Sequence, residues 1–207
     1  MSEGCVSPSP IDEWPRCYEL TLGLEGGRDF SGLLVYSNLP DDPGGPTVAG
    51  LALNTSGIVG LDADHDGRLD FDLNHDGKVD VQDMLLLRSQ PEQHRDYFRV
   101  HYWLGVGADR MPWPWCAAAY DAAVHHGPGP AVLLIQRAVG AKTDSRLGPA
   151  TLAAVRTAGL ARVDHYVSAR AVLFRAINDR RRARGQHDYF EAWMNRLGSL
   201  TRQVVAG

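Results

Sequence analysis

The spacing of apolar residues along the chain predicts a mainly helical protein. Residues 11–24 carry apolar side chains at helical spacing, and Pro15 is tolerated there only in the first turn. Residues 25–50 are instead rich in Gly, Pro, Asp and Ser, which is typical of turns and short strands. Further helices are predicted over residues 81–87, 92–104, 115–125, 131–139, 149–157, 162–184 and 189–205.

The longest predicted helix, residues 162–184, shows an amphipathic pattern. Tyr166, Ala169, Leu173 and Ile177 are predicted to form its apolar stripe, and arginines occupy the opposite face. At the start of the chain, two prolines within residues 7–10 disfavour regular structure, so residues 1–10 are expected to form a flexible arm.

Composition limits the class of protein. The chain has 207 residues, of which 44% are hydrophobic and 22% are charged, close to the averages for globular proteins. This length allows one compact domain or a domain with a small additional module. No apolar run approaches the roughly 18 residues of a membrane-spanning helix, so no integral membrane segment is expected.

Charge is distributed unevenly between the two halves of the chain. Residues 1–110 contain 19 acidic and 8 basic side chains, whereas residues 111–207 contain 6 acidic and 13 basic ones. The basic half indicates an anionic partner, such as nucleic acid, a lipid surface or a cell-wall polymer, or else a solvated face that attracts the acidic half. Charge alone leaves these interpretations open.

The three cysteines, Cys5, Cys17 and Cys116, lack the spacing of a metal site. We expect all three to be thiols, with a Cys5–Cys17 disulfide as the alternative. None lies in a setting that indicates a nucleophile.

A calcium-binding pattern occurs twice between residues 62 and 83. In each repeat, oxygen-bearing side chains at positions 1, 3 and 5 precede a glycine at position 6: Asp62, Asp64, Asp66 and Gly67, then Asp72, Asn74, Asp76 and Gly77. Ca²⁺ binds six to eight oxygens, and this spacing supplies them from a short segment. In the second loop, Lys78 would add its carbonyl, Asp80 a direct or water-mediated ligand, and Asp83 the closing carboxylate at position 12.

The second repeat is the more complete of the two. It resembles an EF-hand loop and, together with residues 81–87, a dockerin calcium loop. The first repeat has Leu73 at position 12 and lacks a closing carboxylate there, unless the two loops share Asp72. We expect one structural Ca²⁺, mainly in the second loop, with two ions as the alternative.

Three polar residues after the first predicted helix have the chemistry of a glycosidase. Glu25 ends the helix, and Asp42 and Thr47 follow on a glycine-rich turn. Glycosidic cleavage uses a protonated acid on the leaving oxygen and a second polar group that stabilises the sugar cation or orients water. The acid must be partly desolvated to keep its proton near neutral pH. Glycine pairs mark turns more often than active sites, so spacing alone does not establish this chemistry.

Several short motifs occur in a fixed order over residues 14–204. They are Leu22-Gly23-Leu24-Glu25-Gly26-Gly27, Asp42-Pro43-Gly44-Gly45-Pro46-Thr47, Gly50-Leu51, Tyr97, Tyr102-Trp103, Met111-Pro112-Trp113-Pro114 and residues 120–128. Together they resemble glycoside hydrolase family 108, the lysozyme-like muramidases of phage endolysins and related bacterial proteins. Residues 134–140, 144, 147–149 and 151–152 resemble the companion peptidoglycan-binding type 3 module.

The resemblance implies a lysozyme-like, mainly α fold with three parts. These are an arm over residues 1–10, a muramidase domain over 11–128 with the calcium loop inserted at 60–84, and a peptidoglycan-binding helical module over 129–207. It assigns Glu25 as the general acid, and Asp42 and Thr47 as the groups that manage the sugar cation and the attacking water. Asp41 competes for the role of Asp42. The alternatives are an Asx-type turn cap for Asp42 and a helix N-cap for Thr47.

Four more residues are candidate sugar contacts: Tyr97, Tyr102, Trp103 and His125. The three aromatic residues could instead belong to the core. His125 stands where the family more often has asparagine, and a histidine at a helix end more often has a capping or packing role.

By this resemblance, we expect the protein to hydrolyse the β-1,4 bond between N-acetylmuramic acid and N-acetylglucosamine in peptidoglycan. We also expect a monomer that binds no nucleic acid. Because the first residues show no signal-peptide pattern, we expect synthesis in the host cytoplasm and holin-type release to the periplasmic cell wall. One alternative is a non-hydrolytic, calcium-dependent wall-binding or dockerin-like adaptor, and another is a lytic transglycosylase. Inversion and retention at the anomeric carbon are both open.

Overall fold

The computed structural model describes residues 12–40, 42–159 and 161–205 and is mainly helical, which confirms the predicted fold class. Its α-helices are α1 (Trp14–Leu24), α2 (Val81–Leu87), α3 (Pro91–Phe98), α4 (Trp115–His126), α5 (Pro128–Val139), α6 (Pro149–Thr157), α7 (Ala161–Ala183) and α8 (Phe190–Val205). A π-helical segment, Arg99–Leu104, continues α3, and a 3-10 helix spans Ala108–Arg110. Within the described ranges, no helix is both long enough and apolar enough to cross a membrane. The predicted arm over residues 1–10 lies outside these ranges.

A small antiparallel sheet follows α1 in the glycine-rich stretch. Its strands β1 (Tyr36–Ser37), β2 (Thr47–Val48) and β3 (Leu51–Ala52) pair in the order β1-β2-β3. Between β2 and β3, Ala49 and Gly50 form a tight turn with φ of 44° and 87°. Since Thr47 lies in a strand, it is not the helix N-cap that was its alternative role.

His94 on α3 holds this turn against α1. Its Nε2 donates to the Ala49 carbonyl at 3.1 Å, and its Nδ1 accepts from the Tyr18 hydroxyl at 2.9 Å. The carbonyl oxygen can only accept, which assigns the ring proton to Nε2. Burial lowers the pKa of His94 to about 4, so the ring is neutral near pH 7.

One continuous hydrophobic core joins the N-terminal and C-terminal halves of the described chain. Helix α4 is buried from Trp115 to Ala123, and its small alanine side chains let α1, α5 and α8 pack against it. Tyr166 on α7 donates its hydroxyl to the Ala118 carbonyl of α4 at 2.7 Å. The predicted boundary between residues 128 and 129 therefore falls in the first turn of α5, a helix that packs on α4 within this core.

The buried face of α7 differs from the predicted stripe. Tyr166, Arg170 and Phe174 are fully buried, whereas Leu173 and Ile177 are only partly buried. A spacing of four residues places the three buried side chains on one face of the helix. The prediction that arginines lie on the opposite face was wrong for Arg170, because a buried acid on α4 supplies its partner.

Cys17 and Cys116 are free thiols buried between α1 and α4, with their Sγ atoms 4.0 Å apart. The hydrogen bond with Cys116 and burial both raise the pKa of Cys17, which keeps it a thiol. Cys5 lies outside the described residues, so its pairing stays a prediction.

Candidate active site

Glu25 ends helix α1 beside the β2–β3 hairpin. The helix stops here because Gly26 and Gly27 follow with φ of 99° and 65°, a conformation that glycine adopts without strain. The Glu25 side chain is 23% exposed, so its carboxyl is largely removed from water but open on one side.

Three charged side chains, on α8, α4 and α7, form a chain of ion pairs that ends at Glu25, the residue directly after α1. Glu25 Oε1 lies 2.8 Å from Nη1 of Arg196 on α8, and Arg196 Nη2 lies 2.6 Å from Oδ1 of Asp121 on α4. The second carboxylate oxygen of Asp121 pairs with Arg170 on α7. Asp121 and Arg170 are fully buried and Arg196 is 9% exposed, so water screens these charges weakly.

The pKa values of the two carboxyl groups in this network are shifted in opposite directions. Burial raises the pKa of Glu25, Asp121 adds to this increase, and the charge and hydrogen bond of Arg196 oppose it without reversing it. Burial alone would also raise the pKa of Asp121, but Arg170 and Arg196 lower it below the usual range. Glu25 therefore retains a proton more readily than an ordinary glutamate, while Asp121 is ionised.

The turn between β2 and β3 faces the second carboxyl oxygen of Glu25. A Cβ atom at Gly50 would lie 3.3 Å from Glu25 Oε2, so glycine leaves room that a side chain would fill. Thr47 lies three residues earlier on the same hairpin, a backbone distance of at most about 10 Å. Its hydroxyl donates to the Gly45 carbonyl at 3.0 Å. The hairpin thus keeps the Thr47 backbone within about 10 Å of Gly50, the residue beside Glu25.

Asp42 lies on the turn at the other end of β2. Its Oδ1 accepts from the Gly44 N–H at 2.8 Å, and its carbonyl accepts from the Gly45 N–H at 2.9 Å. This is the Asx-type turn that was the alternative role for Asp42, and the side chain is exposed. A catalytic role for Asp42 stays a prediction, and Asp41 lies outside the described residues.

The predicted sugar contacts occupy different environments. Tyr102 is half-buried, and burial raises its pKa, with a smaller increase from the negative charge of Glu25. Tyr97 is 8% exposed and donates its hydroxyl to the Ser56 carbonyl. Trp103 is 2% exposed and packs against other aromatic rings in the core. Trp103 is therefore a core residue, which was the alternative interpretation, and its ring has no exposed face for a sugar.

His125 lies one helical turn after Asp121 on α4. Its ring packs against Phe174 and Trp193, with centroids 5.2 and 6.0 Å apart. Burial, and then the positive charge of Arg196, lowers the pKa of His125 to about 3. A neutral imidazole among aromatic rings agrees with the packing role rather than a sugar contact.

Both acidic repeats adopt the same loop conformation. In the second, the Asp76 N–H donates to Asp72 and Asn74, and the Gly77 N–H donates to the other oxygen of Asp72. The three equivalent hydrogen bonds occur ten residues earlier, and Gly67 and Gly77 have φ of 86° and 87°. The side-chain oxygens of positions 1 and 3 therefore point into the loop, as a Ca²⁺ loop requires.

Different acids close the two loops. Asp83, which is 1% exposed, accepts from the N–H at position 2 of the second loop at 2.8 Å. In the first loop, Asp70 at position 9 accepts from the equivalent N–H at 3.2 Å. Ligand oxygens of Asp62, Asp64 and Asp70 lie within 4.8 Å of one another. Asp70 was not among the predicted ligands, and Asp72 accepts hydrogen bonds within the second loop.

Asp80 has a local structural role. Its Oδ1 accepts from the Gln82 N–H at 2.8 Å, and Asp83 accepts from the Asp80 N–H in return, which caps the start of α2. The predicted side-chain ligands Asp72, Asn74, Asp76 and Asp83 all offer oxygen atoms, and this donor set fits Ca²⁺.

Comparison with known proteins agrees with this geometry. A model of the family described as Glycosyl hydrolase 108 matches residues 18–127, which contain Glu25, the hairpin and both acidic loops. The chain belongs to this family. Among solved structures, SagA of Brucella abortus has a similar fold, with a TM-score of 0.66 and 24% sequence identity over 93% of this chain and 94% of the SagA chain. No curated protein matches the chain.

Membership of the glycosyl hydrolase 108 family indicates a glycoside hydrolase that acts on peptidoglycan. The family match ends at the start of α5, whereas the similarity in fold to SagA extends over most of the C-terminal helices.

Spacing and composition did not point to Arg196, Asp121 or Arg170. A signal existed for Asp121, since it is the only acidic residue in the otherwise apolar helix α4, and a buried acid needs a basic partner. Nothing in the sequence distinguishes Arg196 from the other arginines of the basic half, because packing alone brings it to Glu25.

Proposed function

We propose that the protein is an N-acetylmuramidase that cleaves the β-1,4 bond between N-acetylmuramic acid and N-acetylglucosamine, with Glu25 as the general acid. One observation carries the proposal: the Glu25 carboxyl has a raised pKa and is open to solvent beside the hairpin. At a given pH, a raised pKa leaves a larger fraction of this carboxyl protonated than in an ordinary glutamate, and the leaving glycosidic oxygen requires that proton.

A second group must manage the charge that develops on the sugar ring. We assign this role to Asp42, which stabilises the cation or activates water, and to Thr47, which positions that water. Tyr102 is the best placed of the proposed aromatic contacts, because it is more exposed than Tyr97 and Trp103.

The general acid is tested by Glu25→Gln. The amide oxygen still accepts from Arg196, but the side chain has no acidic proton to donate. Turbidity clearing of purified peptidoglycan should fall by about 10²- to 10⁴-fold, with helical circular dichroism unchanged. Glu19→Gln, at a 62% exposed position on α1, is the matched control and should keep its activity. Lysis at the normal rate by the Glu25 variant would contradict the proposal.

The chemistry of the released ends distinguishes the competing activities. Hydrolysis gives reducing ends, whereas a lytic transglycosylase gives anhydro-muramic ends, and mass spectrometry of digested sacculi separates the two. Binding to sacculi without release of fragments would instead support the wall-binding adaptor.

We further propose that Ca²⁺ is a structural ion of residues 60–84. In the second loop the ligands are Asp72, Asn74, Asp76, the Lys78 carbonyl and Asp83, and in the first they would be Asp62, Asp64, Asp66 and Asp70. The carboxylates of each loop repel one another without a cation, so binding should stabilise the folded segment. The ion orders the chain before α2 and takes no part in bond cleavage.

Calorimetric titration and thermal melting test the calcium proposal. Chelator-treated protein should bind Ca²⁺ more tightly than Mg²⁺, and added Ca²⁺ should raise its melting temperature. At a free Ca²⁺ concentration of 100 times the Kd, binding adds about 2.7 kcal/mol to the free energy of unfolding. Asp83→Asn should abolish binding in the second loop, whereas Asp96→Asn, at an exposed site on α3, should not. Absence of both binding heat and stabilisation in the parent protein would reject a structural calcium.

A further inference from the structure

The ion pair between Glu25 and Arg196 joins the end of the first helix to the last helix of the chain. We propose that Arg196 is a positioning residue of the active site, which holds one oxygen of Glu25 so that the acidic proton resides on the other oxygen, facing the hairpin. The inference rests on the proposed role of Glu25 as general acid. It makes α8, in the segment whose predicted role is wall binding, a part of the catalytic site.

The placement of the proton follows from hydrogen-bonding chemistry. A guanidinium only donates hydrogen bonds, and Arg196 Nη1 lies 2.8 Å from Glu25 Oε1. A proton on Oε1 would face the positively charged guanidinium, so neutral Glu25 carries its proton on Oε2. Oε2 is the oxygen beside Gly50, at the hairpin turn. The orientation of the proton toward the hairpin therefore depends on Arg196.

Two groups besides Glu25 hold Arg196, and a further arginine holds one of them. Its Nη1 also donates to the Leu24 carbonyl at 3.0 Å, and its Nη2 donates to Asp121 at 2.6 Å. Arg170 fixes Asp121 by pairing with its carboxylate and donating to its carbonyl at 3.4 Å. Since Asp121 and Arg170 are fully buried, moving either charge without its partner is strongly unfavourable. The guanidinium is therefore preorganised before substrate binds.

Each element around Glu25 contributes to its electrostatic environment. The groups are Arg196 on α8, Asp121, Tyr120 and His125 on α4, Arg170 on α7 and Tyr102 on the π-helical segment. The two arginines lower the pKa of Glu25, and Asp121 raises it. His125, with a pKa of about 3, and the two tyrosines, whose pKa values are raised, stay neutral near pH 7. Because these three side chains are neutral near pH 7, the charges that act on Glu25 are those of Arg196, Asp121 and Arg170. Arg196, at 2.8 Å, is the nearest of them.

The test compares Arg196→Gln with Arg202→Gln, which makes the same change at an exposed position of α8. Carboxyl-carbon NMR of the full-length protein measures the pKa of Glu25, and hydrolysis of purified peptidoglycan gives kcat against pH. Removing the Arg196 charge raises the pKa of Glu25, so activity should persist about one pH unit further into the alkaline range. Loss of the fixed orientation should lower kcat at least about tenfold. The Arg202 variant should show neither change.

Arg196→Lys separates orientation from charge. Lysine keeps the positive charge but lacks the planar fork, so the alkaline limb should stay in place while kcat falls and KM does not change. This variant also decides the matter if Arg196→Gln does not fold. An unchanged Glu25 pKa in folded Arg196→Gln, or a normal kcat in Arg196→Lys, overturns the proposal. If the unmodified protein hydrolyses no peptidoglycan but Arg196→Gln still shifts the pKa of Glu25, the muramidase function is refuted. The electrostatic coupling between Arg196 and Glu25 would then still hold.

Discussion

The buried ring of His94 makes a specific prediction about stability in acid. Burial lowers its pKa to about 4, whereas a histidine in an unfolded chain titrates near 6.5. Between these values the unfolded state binds a proton that the folded state does not, so stability decreases as the pH falls. One proton changes the free energy of unfolding by about 1.36 kcal/mol per pH unit. Between the two pKa values, protonation of His94 therefore removes roughly 3 kcal/mol of stability.

The perturbation is His94→Gln, with His187→Gln at an exposed position as the control. Glutamine can still donate to the Ala49 carbonyl but does not titrate, so the variant should be less stable at neutral pH and lose less stability in acid. Urea unfolding from about pH 7 to pH 4.5, at fixed calcium, should show the slope of unfolding free energy against pH reduced by about one proton. His125 and His126, with pKa values of about 3 and 4, maintain the remaining slope in both proteins. Equal slopes in the two variants would refute the reasoning.

Two further predictions concern residues near the proposed catalytic acid. Gly50→Ala puts a methyl group 3.3 Å from Glu25 Oε2 and should lower peptidoglycan hydrolysis. The control is Gly57→Ala, where φ is 73° and no atom lies within 4 Å. Both variants should lose ~1–2 kcal/mol of stability because of the positive φ, but the Gly57 variant should keep its activity. Equal activities in turbidity assays would argue against a close approach of the hairpin to Glu25. Asp42→Asn keeps the acceptor for the Gly44 N–H but removes the charge, so hydrolysis should fall at least about tenfold at an unchanged melting temperature. A fully active Asn variant would leave Asp42 only its turn-capping role.

Local sequence determined the helices and the acidic loops. The helix predicted over residues 149–157 is observed over the same residues, Pro149–Thr157, because a proline at the first turn and a regular apolar period are both local signals. The two acidic repeats fold alike because their hydrogen bonds join residues two to five positions apart around a glycine at position 6. Such features need no distant partner, and they could therefore be predicted without knowledge of the fold.

Tertiary structure alone decided which charged and aromatic side chains are buried and which groups meet. Arg170 lies on the buried face of α7 because Asp121 offers a partner there, and Arg196 reaches Glu25 only because α8 packs against α1 and α4. Trp103 could have been a sugar contact or a core residue until packing settled it. The physical reason is that burying a charge or a large ring is favourable only against complementary neighbours, and these neighbours are far away in sequence.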